Sequence, residues 1–269
     1  ANHGRDFLYA NDTWFRGVEL KYGPDGEVYV SDWTDFGECH DNDGIHQDSG
    51  RIYRVTYTKN NKVRGRTSDL NGYKDLALVH LLFHKNDWWR QHAQRILQER
   101  SAAGKLSTDD VHDTLRTRFG NSTTSVVDKL RCLWTLHGTG GADRKFLTEQ
   151  LANGNEHIRW WTIKLLCEDR KASPELLMRF AEMARSDKSP LVRLGLASAM
   201  QRLPHESRWP IAEGLLSHAD DAQDHNLPLM IWYGIEPLVA TNSVRAIQLA
   251  AKSKIPLVRQ YIARRIAEK

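Results

Sequence analysis

Asp187-Lys188-Ser189-Pro190-Leu191-Val192-Arg193-Leu194-Gly195-Leu196-Ala197-Ser198-Ala199-Met200 is the stretch whose reading decides the fold. It opens as a polar turn, and Pro190 stands where a helix accepts proline, at its first position with no amide to lose. From Leu191 onward, apolar and small residues run down a helix that must be largely buried. The small residues let neighbouring helices approach closely. Arg193 is placed to pair with a turn aspartate of its own unit or of the next one.

The pattern recurs along the chain. Trp89-Arg90, Ile158-Arg159, Val192-Arg193 and Val258-Arg259 each open a helix with apolar residues spaced along one face, at intervals of 69, 34 and 66 residues. A unit near 34 residues leaves one degenerate copy in each long gap. Val127-Asp128 through Leu130, Leu133 and Trp134 fills the first, and Leu229-Met230 through Ile231, Tyr233 and Gly234 fills the second. A helical pair repeated at that period is the signature of an α-solenoid. The stretch Asp187–Met200 resembles a HEAT repeat, and Ser253–Arg259 repeats its Pro-x-Val-Arg part without the aspartate. Arg90, Arg159, Arg193 and Arg259 are therefore expected to be structural residues of the repeat rather than ligand-binding ones. Other helix signals agree: Ser107 followed by Asp110 at the start and Gly120 at the end of one helix, and Ser173-Pro174-Glu175 at the start of another.

The N-terminal part reads differently. Val18, Leu20 and Tyr22 alternate with polar neighbours in period two, Gly23-Pro24-Asp25-Gly26 is rich in turn formers, and Glu27–Ser31 resumes an extended pattern. Arg51–Tyr57 gives a third strand. Three strands make a meander too small to be stable unless it packs on something. The expected architecture is mainly α: an α-solenoid of about six HEAT-like helical pairs, preceded by a short antiparallel β-meander. The expected organisation is 1–58 for the strands, 59–72 for a polar, basic linker and 73–269 for the helices.

Composition excludes several classes. With 269 residues, 40% of them hydrophobic, the chain can build a packed core, and its mean hydropathy of −0.59 is that of a water-compatible surface. No run approaches the roughly 18 to 20 apolar residues of a membrane helix. The first residues lack the apolar core of a signal peptide, and Ala1 in place of an initiator methionine leads us to expect a fragment. Cys39, Cys132 and Cys167 are too few and too scattered for a disulfide framework, and CxxC, CxxCH, GxGxxG, GxxxxGK[ST] and HExxH are all absent.

One segment concentrates chemistry. Asp32–Asp48 holds six carboxylates and two histidines in seventeen positions. Asp41-Asn42-Asp43-Gly44 has the alternating oxygens and the glycine of a calcium loop, but Ile52 stands where an EF-hand needs its twelfth-position glutamate. Glu38, Asp41 and Asp43 are the candidate ligands for a hard cation such as calcium; a solvated acidic loop is the alternative reading. Cys39, His40 and His46 form a weaker transition-metal set, and Asp32 or Glu38 with His40 a conceivable acid–base pair. Trp88-Trp89 and Trp160-Trp161 lie beside Arg90 and Arg159, an arrangement that can stack nucleic-acid bases. The alternative has one tryptophan of each pair packed between repeats and the other at the surface. A net charge of only +4 and the acidic loop weigh against nucleic acid.

Long strings at both ends add a more specific likeness. Asn11–Gly17, Gly23–Trp33, Gly50–Val55, Asn86–Arg90 and Asn226–Gly234 resemble the membrane-bound dehydrogenases of planctomycete and verrucomicrobial type, relatives of glucose/sorbosone dehydrogenases. In that family a β-propeller carries the dehydrogenase centre, HEAT-like helices follow, and a CxxCH cytochrome domain comes last. The resemblance implies that residues 1–58 are the last propeller blade, and that the chain is a non-catalytic spacer between propeller and haem domain. No cofactor is expected within this chain; haem c and a quinone cofactor belong to the implied parent protein. The implied partners are the neighbouring domains of the same polypeptide, and the implied location is the periplasm or cell surface. The rival expectations are a stand-alone module that binds a protein on its solenoid face and, more weakly, a nucleic-acid binder.

Overall fold

The computed structural model describes residues 4–34, 49–56 and 69–268. The fold is mainly α, with twelve helices among the described residues after a three-stranded antiparallel sheet, as the two sequence patterns require. The chain divides into two compact units, Ala1–Ser107 and Thr108–Lys269.

In the first unit the strands β1 (Gly17–Tyr22), β2 (Val28–Asp32) and β3 (Arg51–Val55) form a meander in that order. The turn between β1 and β2 is closed by the Gly26 amide donating to the Gly23 carbonyl at 3.0 Å. Gly26 adopts φ +83°, a conformation open to glycine at no steric cost. Leu20 pairs with Val30, which pairs with Tyr53, so the three share a face. Phe15 meets Tyr53 edge-on with ring centroids 5.6 Å apart, and Val30 is buried. Farther along, Leu20 and Tyr22 remain exposed.

Two helices, α1 (Asp75–Leu81) and α2 (Asp87–Ala102), complete this unit. Asn86 caps α2 by accepting from the Trp88 amide, and its own amide group donates to the Gly23 carbonyl at 2.9 Å. Trp89 Nε1 donates to the Pro24 carbonyl at 2.9 Å. The hairpin turn is thus tied to the helix by side-chain donors, which is why the sheet groups with α1 and α2. Asp75 is buried and accepts from Arg100 Nη1 at 2.5 Å and from the Ser107 amide at 2.7 Å. Burial alone would raise the Asp75 pKa, but these donors outweigh it and hold the carboxyl below its ordinary value.

The second unit contains α3 (Thr108–Gly120), α4 (Val126–Gly138), α5 (Arg144–Gln150), α6 (Glu156–Leu166), α7 (Pro174–Ser186), α8 (Pro190–Met200), α9 (His205–Leu215), α10 (Leu227–Thr241), α11 (Ser243–Lys252) and α12 (Pro256–Ala267). They pack as consecutive pairs, and α4, α6, α8, α10 and α12 follow one another in a layer while α7 packs on α9 in the other. Starts are marked by the residues the sequence offers: Ser173 and Ser189 cap α7 and α8 with proline at the following position, and Asn155 caps α6. The core is built from large apolar side chains with no exposed surface, among them Leu136, Phe180, Trp209 and Leu238.

Close approach between helices depends on glycine at several places, Gly214 and Gly234 among them. A methyl at Gly214 would come within 2.9 Å of the Ala184 backbone, and one at Gly234 within 2.6 Å of Met200 Cε. Replacing Gly214 with alanine must push α9 away from the α7 backbone, and we expect a loss of about 1–3 kcal/mol in urea unfolding. His112 is buried on α3, its Nε2 lies 2.9 Å from Thr139 Oγ1, and burial, reinforced by Arg116, holds its pKa below the ordinary value of 6.5. The unfolded chain then binds the proton more readily, so His112 makes stability decline as pH falls below about 6.5. Urea unfolding at about pH 7.5 and about pH 5.5 checks this, and His112→Gln should reduce the difference.

Candidate functional site

The repeat arginines occupy one position. Arg90, Arg159, Arg193 and Arg259 are each the fourth residue of their helix, in α2, α6, α8 and α12. Their environments differ. Arg159 donates from Nε and Nη2 to both oxygens of Asp187, 28 residues ahead in the turn before α8, at 2.8 and 2.9 Å. Its Nη1 donates to the Asn153 carbonyl six residues behind. Arg193 repeats the scheme: Nε and Nη2 reach Asp221, also 28 residues ahead, at 2.6 and 2.5 Å, and Nη1 donates to the Asp187 carbonyl. Side-chain exposures of 7% and 4% make Arg193–Asp221 a buried bidentate pair. Arg90 instead pairs with Asp87 in its own first turn, and Arg259 is exposed.

Asp187 also accepts from the Ser189 amide at 3.0 Å, and Ser189 Oγ donates to Glu156 of α6. Each turn is therefore both a helix start and a bracket onto the preceding pair. Asp221 lies in a short 3₁₀ turn, Ala219–Gln223, which carries no repeat motif, so sequence reasoning did not single it out. Arg208 was missed as well. Buried on α9, it donates to the Leu203 carbonyl at 2.9 Å and to the Gly234 carbonyl at 3.0 Å. Gly234 lies beside Tyr233, whose carbonyl loses its helical donor to Pro237. Burial pulls the Arg208 pKa down from its usual value.

The tryptophan pairs both pack into structure. Trp160 lies against Gly195 of α8, where a methyl would come within 2.6 Å of the indole. Trp161 meets Trp134 of α4 edge-on, with centroids 4.9 Å apart. For Trp160-Trp161 the expected division of one packed and one surface ring gives way to two half-buried rings, one toward each neighbouring pair. The Lys164 ammonium sits 4.7 Å from the Trp161 ring centroid. With Arg159 and Arg193 bound to aspartates, these guanidinium groups and rings are already occupied by protein. In the first unit, Trp88 stacks on His92 at 4.0 Å and lines a cleft of about 620 Å³ with Tyr22, Tyr29, Asp87 and Gln91. Asp87 is committed there to Arg90 and Gln91.

The candidate cation ligands Glu38, Asp41 and Asp43 lie outside the described residues, as do Cys39, His40 and His46. Asp32, at the edge of that segment, is described and buried. Its Oδ1 accepts from the amides of Arg16 at 2.8 Å and Thr34 at 3.0 Å, and its Oδ2 accepts from Thr34 Oγ1 at 2.7 Å and Arg51 Nε at 3.2 Å. Burial pushes its pKa up, but these four donors bring it below the ordinary value. Such a carboxylate organises the strand end, with its lone pairs engaged by structure rather than poised to take up a proton. Cys132 and Cys167 are buried, and burial pushes their thiols up to about 12 and about 11, away from thiolate chemistry. Among the described residues no group of three His, Cys, Asp or Glu side chains is placed to hold a metal ion, and no helix is long and apolar enough to cross a membrane.

A family model described as a domain of unknown function (DUF7133) matches residues 1–59, which take in β1 to β3. No curated protein matches the chain, and no solved structure matches it.

The buried pair gives a direct test. Asp221→Ala leaves Arg193 buried without its counter-charge, and we expect a loss of about 3–5 kcal/mol in chemical unfolding. Arg193→Ala should cost a similar amount, and the double variant little more than either alone, since the two side chains form one interaction.

Proposed function

We propose that this chain is a non-catalytic scaffold, in which a braced stack of helical pairs serves as a stiff spacer between domains. The observation that carries the reading is the pair of inter-repeat braces, Arg159–Asp187 and Arg193–Asp221. Each joins one helical pair to the next through two hydrogen bonds of fixed geometry. A stack whose neighbours are bolted in register resists bending at those joints, as a spacer must. The exposed Leu20 and Tyr22 on the meander fit a sheet that is one blade of something larger.

On the sequence resemblance, the joined domains are a sugar- or alcohol-dehydrogenase-like propeller and a haem domain. A spacer then sets the distance over which electrons pass. Replacing residues 108–269 of the intact protein with a Gly-Ser linker of equal reach should abolish or strongly slow electron transfer between the two domains. Unchanged transfer would overturn the scaffold reading.

A second reading has its own support. Val127 on α4 and Tyr233 on α10 are more than half exposed on the layer of even-numbered helices, where a protein partner could cover them. A pull-down with the whole chain that survives high salt, and is lost on Tyr233→Ser, would favour an interaction module over a spacer.

A further inference from the structure

Two asparagine–glycine pairs occur in the sequence, Asn71-Gly72 and Asn153-Gly154. In such a pair the glycine nitrogen can attack the side-chain amide carbon of the asparagine, an intramolecular reaction governed by how freely the two atoms approach. The backbone settings of the two pairs are alike. Arg100 Nη2 donates to the Asn71 carbonyl at 2.7 Å, and Arg159 Nη1 donates to the Asn153 carbonyl at 2.8 Å. The side chains differ. Asn153 Oδ1 accepts from the Asn155 amide at 3.0 Å, and its Nδ2 donates to Gln150 Oε1 at 3.0 Å. Attack at its Cγ would make that carbon tetrahedral and break both bonds. Asn71 and Gly72 are instead the exposed central residues of a turn closed by the Tyr73 amide donating to the Leu70 carbonyl at 3.1 Å. Among the described residues neither the Asn71 side-chain amide nor the Gly72 N–H has a hydrogen-bond partner. Beyond the chain neighbours, no atom lies within 4 Å of where a side chain on Gly72 would begin. The nucleophile and the carbon it attacks are therefore free to reach the roughly 3–3.5 Å of a near-attack conformer.

We propose that Asn71 is a modification site at which the folded chain deamidates itself with water as the only co-reactant, and that the main product disturbs the start of α1. Gly72 N gives its proton to solvent and bonds to Asn71 Cγ, the Cγ–Nδ2 bond breaks, and Nδ2 leaves as ammonia. Water then opens the ring at one of its two carbonyls, and nothing is oxidised or reduced. Opening at one carbonyl gives an ordinary aspartate. Opening at the other routes the chain through Cβ and Cγ, and the carbonyl that Arg100 now holds becomes a free carboxylate. That group competes for Arg100 with Asp75, the buried first residue of α1, which accepts from Arg100 Nη1 at 2.5 Å. The inference concerns the first unit alone and does not depend on the scaffold reading.

The test incubates the whole chain at about pH 8, then digests it and weighs the peptides, each deamidation adding about 1 Da. The peptide with residue 71 should convert at least about tenfold faster than the one with residue 153. In chain unfolded by urea the two rates should become comparable, which shows that the fold makes the difference. Gly72→Ala should slow conversion at Asn71. Equal rates at the two sites in the folded chain, or no conversion at Asn71 while the unfolded chain reacts, would overturn the proposal. Amide hydrogen exchange then reads the product: α1 should exchange faster in the aged chain than in freshly made Asn71→Asp, which carries the new charge without the rerouted backbone. The same exchange in both would overturn the competition for Arg100.

Discussion

The guanidinium of Arg193 and the carboxylate of Asp221 meet with both pairs of atoms aligned, deep between two successive helical pairs. Two charges taken from water gain little net stability over a well-packed apolar substitute, but they tolerate no misalignment. The pair holds α8 and the turn before α10 in one register. The small residues then allow the helices to settle together, with Met200 against Gly234. Arg159 and Asp187 do the same one pair earlier, and Asp187 lends its backbone carbonyl to Arg193. The two braces therefore share a turn, so the ordering of one pair is passed to the next through a single residue.

The first unit depends on a different device. Its sheet has too few strands to bury its own apolar side chains, and it is held instead through the hairpin turn, where Asn86 and Trp89 donate to the carbonyls of Gly23 and Pro24. Asp32 gathers four donors at the far end of β2. Both ends of the central strands are thus fixed by polar contacts, while Leu20 and Tyr22 stay exposed between them.

Two of the aromatic residues that could serve recognition are spent on packing. Trp160 and Trp161 are neighbours in sequence but turn toward α8 and α4 respectively. A single dipeptide thereby links three helical pairs, and Lys164 covers the rings with a cation. Chemistry at the buried cysteines is suppressed in the same way, by removal from water.

The sequence by itself determined the class of fold and much of its grammar. Proline after a capping serine fixed the starts of α7 and α8, Gly23–Gly26 fixed the hairpin turn, and the apolar–Arg pairs fixed where α2, α6, α8 and α12 begin. These features are local, governed by the backbone preferences of a few adjacent residues, and so they can be read along the chain. Which aspartate each arginine takes was decided only in three dimensions. Arg193 bypasses the side chain of nearby Asp187 for Asp221, in a turn without a motif, while Arg90 turns back to Asp87. The candidate ligands of the acidic segment, Glu38, Asp41 and Asp43, lie outside the described residues, so the fold adds nothing to what their spacing says. Helical period tells which side of a helix faces its neighbour, but the partner on that neighbour depends on how far the pairs are offset. The Arg193–Asp221 pair and the packing of Met200 against Gly234 set that offset together, and no single stretch of sequence contains it.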